Sequence, residues 1–271
     1  MILILKAIII GIVEGITEFL PISSTGHMVL IGNLINFNQQ YGNFPKYFEI
    51  VIQLGAILAI VVLYWNKIWN SLKNLMPGKW GFKMWTNIII AVIPSAIVGL
   101  KFDNKIEGKL LYPIPVAAAL LVGGILMILI ENKFRGKYKT KSMDDVSLKQ
   151  AIFIGCFQCL ALWPGMSRSA STIMGAWICG LSSPAAAEFS FFLAIPTMVG
   201  ACGLKVFKGG VLTPNEVIAL GVGFIVAFIV ALVVVEKFVN FLKRRKMRIF
   251  AVYRIFVGII LLILAALSII K

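Results

Sequence analysis

The 271 residues would allow one large or two small soluble domains, yet 60% are hydrophobic and only 14% charged, with a mean hydropathy of +0.95. A globular chain is about 45–50% apolar and about 25% charged, so this one lacks the polar surface to stand in water and reads as an all-α integral membrane protein. Lys and Arg outnumber Asp and Glu by 26 to 11, a formal charge of +15 that here marks cytoplasmic loops rather than a nucleic-acid partner.

The first stretch, 1–35, is apolar, but Glu14 and Glu18 fall where a secretory leader would carry its apolar core or cleavage site, which predicts a retained segment. It is broken at Pro21-Ile-Ser-Ser-Thr-Gly-His27. Three uninterrupted apolar segments follow, at about 47–65, 86–101 and 114–130, and then the charged linker Glu131 to Gln150. The stretch 150–183 is broken in the same way, at Pro164-Gly-Met-Ser-Arg-Ser-Ala-Ser-Thr172, and spans at about 186–204, 216–235 and 251–270 complete the chain. At about 20 residues per crossing these are six transmembrane helices, with no length left for a soluble catalytic domain.

A non-helical break cannot face lipid, because unpaired peptide groups in hydrocarbon cost several kcal/mol each. The simplest geometry is a re-entrant helical hairpin, entering and leaving on one side with its polar tip near the bilayer middle. Each half then reads as a hairpin and three spans: repeat one over 1–130, the linker over 131–150, and repeat two over 151–271. Pro21 matches Pro164, Ser24 matches Ser167 and Glu49 matches Glu188. Three crossings per half make this an inverted-topology internal repeat, an arrangement shared with many transporters.

The loop 66–85, the linker and the loop 236–250 fall on one face and hold 16 Lys or Arg, including Lys243-Arg244-Arg245-Lys246. The other face holds seven: Lys46, Lys101, Lys105, Lys109, Lys205, Lys208 and Lys271. The basic face is expected in the cytoplasm and both termini outside.

Charges within apolar segments are costly, about 2.5–3.5 kcal/mol each on insertion scales, and so are functional candidates. Glu14 and Glu18, four apart, lie on one helix face; two such carboxylates suit a hard divalent cation, magnesium or calcium, which itself prefers phosphate oxygens. Arg168, the hydroxyls of Ser167, Ser169, Ser171 and Thr172, and free N–H groups at a helix start make an anion site. Ser24 with His27, the only histidine, supplies a hydroxyl nucleophile with its base, or a proton donor to a leaving phosphate. Ser23 and Thr25 join the phosphate-binding candidates. Together these residues describe phosphoryl transfer from a lipid-borne diphosphate.

Other features read more plainly. Cys156, Cys159, Cys179 and Cys202 lie in apolar stretches without a clustered His and are expected as small buried side chains. Arg254, early in the last span, is expected to snorkel to the basic face. Gly11 and Gly15 form a small-xxx-small pattern that brings helices close. Ser23, Ser169, Ser171 and Thr172 are equally suited to packing and capping. For Glu49, Gln53 and Gln158, packing and support of the site are both open.

The segments Glu14-Gly-Ile-Thr-Glu18-Phe-Leu-Pro-Ile-Ser-Ser-Thr-Gly-His27 and Pro164 to Thr172 resemble the two signature motifs of undecaprenyl-diphosphatase, the bacitracin resistance protein family of bacteria, and the resemblance runs the full length of the chain. It implies hydrolysis of undecaprenyl diphosphate to undecaprenyl phosphate and inorganic phosphate, recycling the carrier for cell wall synthesis, in the bacterial inner membrane. It also implies Glu14 and Glu18 as the acidic pair, Ser24 and His27 as hydroxyl and imidazole of the centre, Arg168 as phosphate clamp, and a homodimer. The hairpin at 14–27 opens outward on the charge-derived topology, so hydrolysis is expected on the outer, periplasmic side.

Whether Ser24, His27 or a metal-bound water attacks phosphorus is not decided by spacing. A transporter or flippase for the lipid monophosphate would share the repeat and the anion site, but binding alone does not need Glu14, Glu18 and His27. The lipid phosphatases that use two histidines are excluded by the single His.

Overall fold

The computed structural model describes residues 1–206 and 212–270, with side chains at 39, 103–105, 107 and 204–206 excepted. The described residues are all-helical: α1 (Ile2–Thr17), α2 (Ser24–Leu34), α3 (Phe37–Gln40), α4 (Phe44–Leu63), α5 (Trp65–Lys73), α6 (Trp80–Leu110), α7 (Pro113–Phe134), α8 (Leu148–Gln158), α9 (Arg168–Ile178), α10 (Ser183–Val206), α11 (Pro214–Arg244) and α12 (Arg248–Ala266). Six of them, α4, α6, α7, α10, α11 and α12, are long and apolar enough to cross a membrane. Ile89, Ile93, Ile97 and Leu100 of α6, and Ile218, Ile225, Ile229 and Val233 of α11, are exposed along single faces. Such stripes are tolerable only against lipid, and the chain is a multi-pass membrane protein.

The helices outrun the apolar segments because backbone signals, not hydropathy, end them. Helix α11 begins at a capping box, with the Thr213 hydroxyl accepting from the Glu216 amide, and carries on through Glu236 to Arg244. The loop 66–85 holds the amphipathic α5, with Ile68 and Ser71 buried and Trp65 and Trp69 exposed.

Both broken stretches fold as helix, turn, helix with their ends together. Gln150 at the start of α8 donates to the Cys179 carbonyl beyond α9 at 2.9 Å, and Lys6 of α1 reaches the Asn36 carbonyl and Gln40 beyond α2 at 3.2 and 2.6 Å. The two turns share one backbone device. Ser23 and Ser167 both hold φ of 72° and cap the following helix, accepting from Gly26 N at 3.2 Å and Ala170 N at 3.3 Å. A positive φ at a non-glycine residue costs about 1–3 kcal/mol, here offset by the cap. By this device Ser23, not Ser24, is the counterpart of Ser167.

The helices pack across the two halves: α1 and α4 against α11, α8 and α10 against α6, and α7 against α12. The buried stripe of α11 is Ala219, Gly223, Ala227 and Ala231. Gly11 and Gly15 of α1 and Gly55 of α4 sit directly on it, with no room for a Cβ against Gly223, Ala227 and Phe224. Cys202 is buried as expected. Cys159 and Cys179 are half-buried and Cys156 is exposed on α8, because that helix is only partly enclosed.

Candidate active site

The ends of α1 and the starts of α2 and α9 converge. Helix α1 stops at Thr17, so Glu18 turns back toward the first turn of α2, and its Oε2 accepts from Ser24 Oγ at 2.8 Å. The other oxygen accepts from Arg168 Nη2, on the first turn of α9, at 3.2 Å. Arg168 Nη1 donates to the Ser190 carbonyl of α10 at 3.0 Å, and the Thr172 and Ser190 hydroxyls are 2.7 Å apart. Ser169 Oγ donates to the Leu20 carbonyl at 3.0 Å, which fastens the second turn to the first. Glu18, Ser24 and Arg168 thus form one buried hydrogen-bonded line joining both motifs. Arg168 Nε is buried with no hydrogen-bond partner.

The remaining candidates divide. Ser167 caps α9 and lies 3.1 Å from Ser169, while Ser171 Oγ donates to the Ser167 carbonyl at 2.8 Å. Thr25 is half-buried on the first turn of α2. His27 is not bonded to Ser24: its Nδ1 lies 2.7 Å from the Ser23 carbonyl and its Nε2 2.9 Å from the hydroxyl of Tyr253. The basic group beside Ser24 is therefore Glu18. Gln158 is buried and donates to Ser95 Oγ at 2.7 Å.

Glu14, one turn before Glu18, is 0% exposed and neither of its oxygens has a hydrogen-bond partner. A bare buried carboxylate is too costly to stand alone and must be neutralised by a proton or a cation. Hard oxygen donors fit a divalent cation, but among the described residues there is no group of three or more His, Cys, Asp or Glu able to hold one. The fit is to an ion bound by one or two carboxylates and completed by phosphate oxygens.

Arg254 corrects the sequence reading. It does not snorkel but is 0% exposed, with Nη2 donating to the carbonyls of Gly165 and Met166 at 2.8 Å each and to Ala119 at 3.4 Å. The glycine at 123 leaves room for this guanidinium, which would meet any Cβ there. The turn 164–167 has carbonyls that no helix satisfies, and the buried cation satisfies them. Ser190 and Tyr253 carry no signal in an apolar helix. Arg254, as an intramembrane charge, did carry one.

This fold and site define a helical membrane protein with a buried carboxylate, hydroxyl and guanidinium site built from two broken helices. The chain belongs to the bacitracin resistance protein BacA family, which matches residues 7–260. It is 60% identical over 272 residues to an undecaprenyl-diphosphatase of Clostridium tetani (strain Massachusetts / E88), covering 100% of this chain and 99% of that protein. It is 57% identical over 279 residues to an undecaprenyl-diphosphatase of Clostridium novyi (strain NT), covering 99% and 98%. With an undecaprenyl-diphosphatase of Thermoanaerobacter pseudethanolicus it shares 54% over 270 residues, 99% of each.

Proposed function

We propose that this protein is an undecaprenyl-diphosphatase, hydrolysing undecaprenyl diphosphate to undecaprenyl phosphate and inorganic phosphate within the membrane. The observation that carries the chemistry is the line Ser24, Glu18, Arg168. The 2.8 Å bond from Ser24 to Glu18 supports Ser24 as nucleophile with a carboxylate base. As Oγ attacks the terminal phosphorus its proton passes to Glu18. The bond from that phosphorus to the bridging oxygen breaks, and undecaprenyl phosphate leaves. Water then attacks the phosphoserine, His27 Nε2 accepting its proton, and Ser24 recovers its own as inorganic phosphate departs. Arg168 grips the phosphoryl oxygens through both steps, its Nε being a buried donor without another partner. Ser23, Thr25, Ser167, Ser169 and Thr172 supply the turn and helix starts around those oxygens.

The residues that would hold a divalent cation, magnesium or calcium, are Glu14 and, at its edge, Glu18; such an ion would offset the charge of Glu14 and offer positions to phosphate oxygens, leaving Glu18 Oε2 to Ser24. The broken stretches are read as re-entrant hairpins and the two halves as an inverted repeat. The shared φ of Ser23 and Ser167 and the exchange of α11 and α6 between halves support this. The basic face lies inward, the hairpin of α1 and α2 opens to the periplasmic side of the inner membrane, both termini are outside, and the enzyme works as a homodimer, as the family resemblance implies. Hydrolysis there recycles the lipid carrier and, by removing the diphosphate that bacitracin sequesters, gives resistance.

The exchange between halves also favours a second reading, a flippase for the lipid phosphate. Phosphate release from undecaprenyl diphosphate by the purified protein in detergent separates the two, because hydrolysis needs no sealed membrane. Release at an enzymatic rate is expected; binding without release would leave only the carrier.

A further inference from the structure

The ring of His27 is held at both nitrogens. It is 7% exposed on the first turn of α2, with Nδ1 2.7 Å from the Ser23 carbonyl. A carbonyl only accepts, so Nδ1 carries the hydrogen. In the neutral imidazole Nε2 then holds the lone pair, and the Tyr253 hydroxyl, 2.9 Å away, donates to it. The two rings are nearly parallel, 9° between their planes, with centroids 5.6 Å apart, so the phenol lies alongside the imidazole as well as bonding it.

The partner on each side is itself constrained. The Ser23 carbonyl belongs to the positive-φ turn, and Tyr253 is followed in α12 by Arg254, which binds the carbonyls of the other turn. One dipeptide of α12 thus fastens the imidazole of the first motif and the backbone of the second. Tyr253 is also 43% exposed, so its ring can swing aside without repacking a core.

We propose that Tyr253 is a positioning residue for the hydrolysis: its hydroxyl donates to the bare Nε2 of His27, holds the imidazole that Ser23 orients, and yields Nε2 when substrate enters. The inference rests on the reading of His27 as the base for water. Outer hydrogen-bond partners that orient metal-bound histidines are worth about 10–100-fold in affinity or activity, and a loss in that range is expected here.

Because the chain has a single histidine, protein labelled with ¹⁵N-histidine shows only the two ring nitrogens of His27. In the parent, without substrate, one protonated and one bare nitrogen are expected, the bare one shifted by a hydrogen bond. In Tyr253→Phe the bare resonance should move as its hydrogen bond is lost, with kcat down about 10–100-fold and KM within a few-fold. Unmoved resonances in Tyr253→Phe overturn the proposal, whatever happens to activity, and so does parent kcat. If Tyr253→Phe does not fold, the parent spectrum decides, since a protonated Nε2 overturns it. Near-parent turnover in His27→Ala would instead remove His27 from the chemistry, a separate result that the substrate-free spectrum does not share.

Discussion

At the scale of single residues, the site depends on which charges are held by which partners. Arg168 is gripped by Glu18 and the Ser190 carbonyl through two different nitrogens, which leaves Nε as a third donor in the same plane that an ammonium on a shorter reach does not reproduce. Arg168→Lys is expected to lose about 2–4 kcal/mol of transition-state stabilisation, read as kcat/KM for phosphate release, the range for removing one preorganised donor. Ser171→Ala should stay within a few-fold of the parent, because that hydroxyl bonds only the Ser167 carbonyl within its own helix. Glu14, buried with both oxygens unpartnered, has to be neutralised by a proton or by the proposed cation. Chelation should abolish turnover and added magnesium or calcium restore it; full activity in excess chelator would leave Glu14 neutralised by a proton. Arg254→Leu strips the Gly165 and Met166 carbonyls of their donor and is expected to cost about 1–3 kcal/mol of stability, seen as a lower unfolding midpoint in detergent. An unchanged midpoint would return Arg254 to the membrane surface. That partner set was hidden in the sequence: a charge early in an apolar span looks the same whether its side chain runs outward to water or inward to a turn 88 residues away. The Ser24 partner was hidden for a related reason. Ser24 and His27 are neighbours on a helix, but Glu18 lies across a turn whose path depends on the φ of Ser23.

At the scale of elements, the sequence was legible where physics leaves one choice. Six long apolar runs had to be helices, and Pro21 and Pro164 amid hydroxyls had to interrupt the other two stretches. The match of Glu49 with Glu188 does not extend to their partners. Glu188 is paired with Lys67 at 3.1 Å, and Lys67 also with Asp144 at 3.0 Å, tying α5 and the linker to α10. Closer to the site, Glu14 stands as far before Ser23 as Gln158 before Ser167, and the neutral Gln158 bonds Ser95 where Glu14 has no partner. The glycine spacing of α1 was also readable, although its partner on α11 was not. Gly15→Leu forces that helix off Ala227 and Val230 and is expected to destabilise the protein by about 1–3 kcal/mol, measured by thermal unfolding in detergent. A parent-like midpoint would mean that α1 is held chiefly by its turn.

At the scale of the whole molecule, α11 packs on α1 and α4, α6 on α8 and α10, and the two broken turns meet in one place; the proposed orientation rests on the basic residues. Cysteines at Lys73 and Lys246 should be labelled only from the cytoplasm and one at Lys46 only from outside; Lys271 and Lys208 lie outside the described residues. Labelling of Lys46 and Lys246 from one side would contradict the inverted arrangement. The buried line from Ser24 through Glu18 to Arg168 is the part of the molecule proposed to break the diphosphate bond. Its most direct measurement is phosphate release from undecaprenyl diphosphate in detergent by the parent and by Ser24→Ala, at matched substrate binding. A loss of about 2–4 kcal/mol in the variant is expected if the hydroxyl acts on phosphorus. Parent-like release by Ser24→Ala would contradict the account and leave the attack to water.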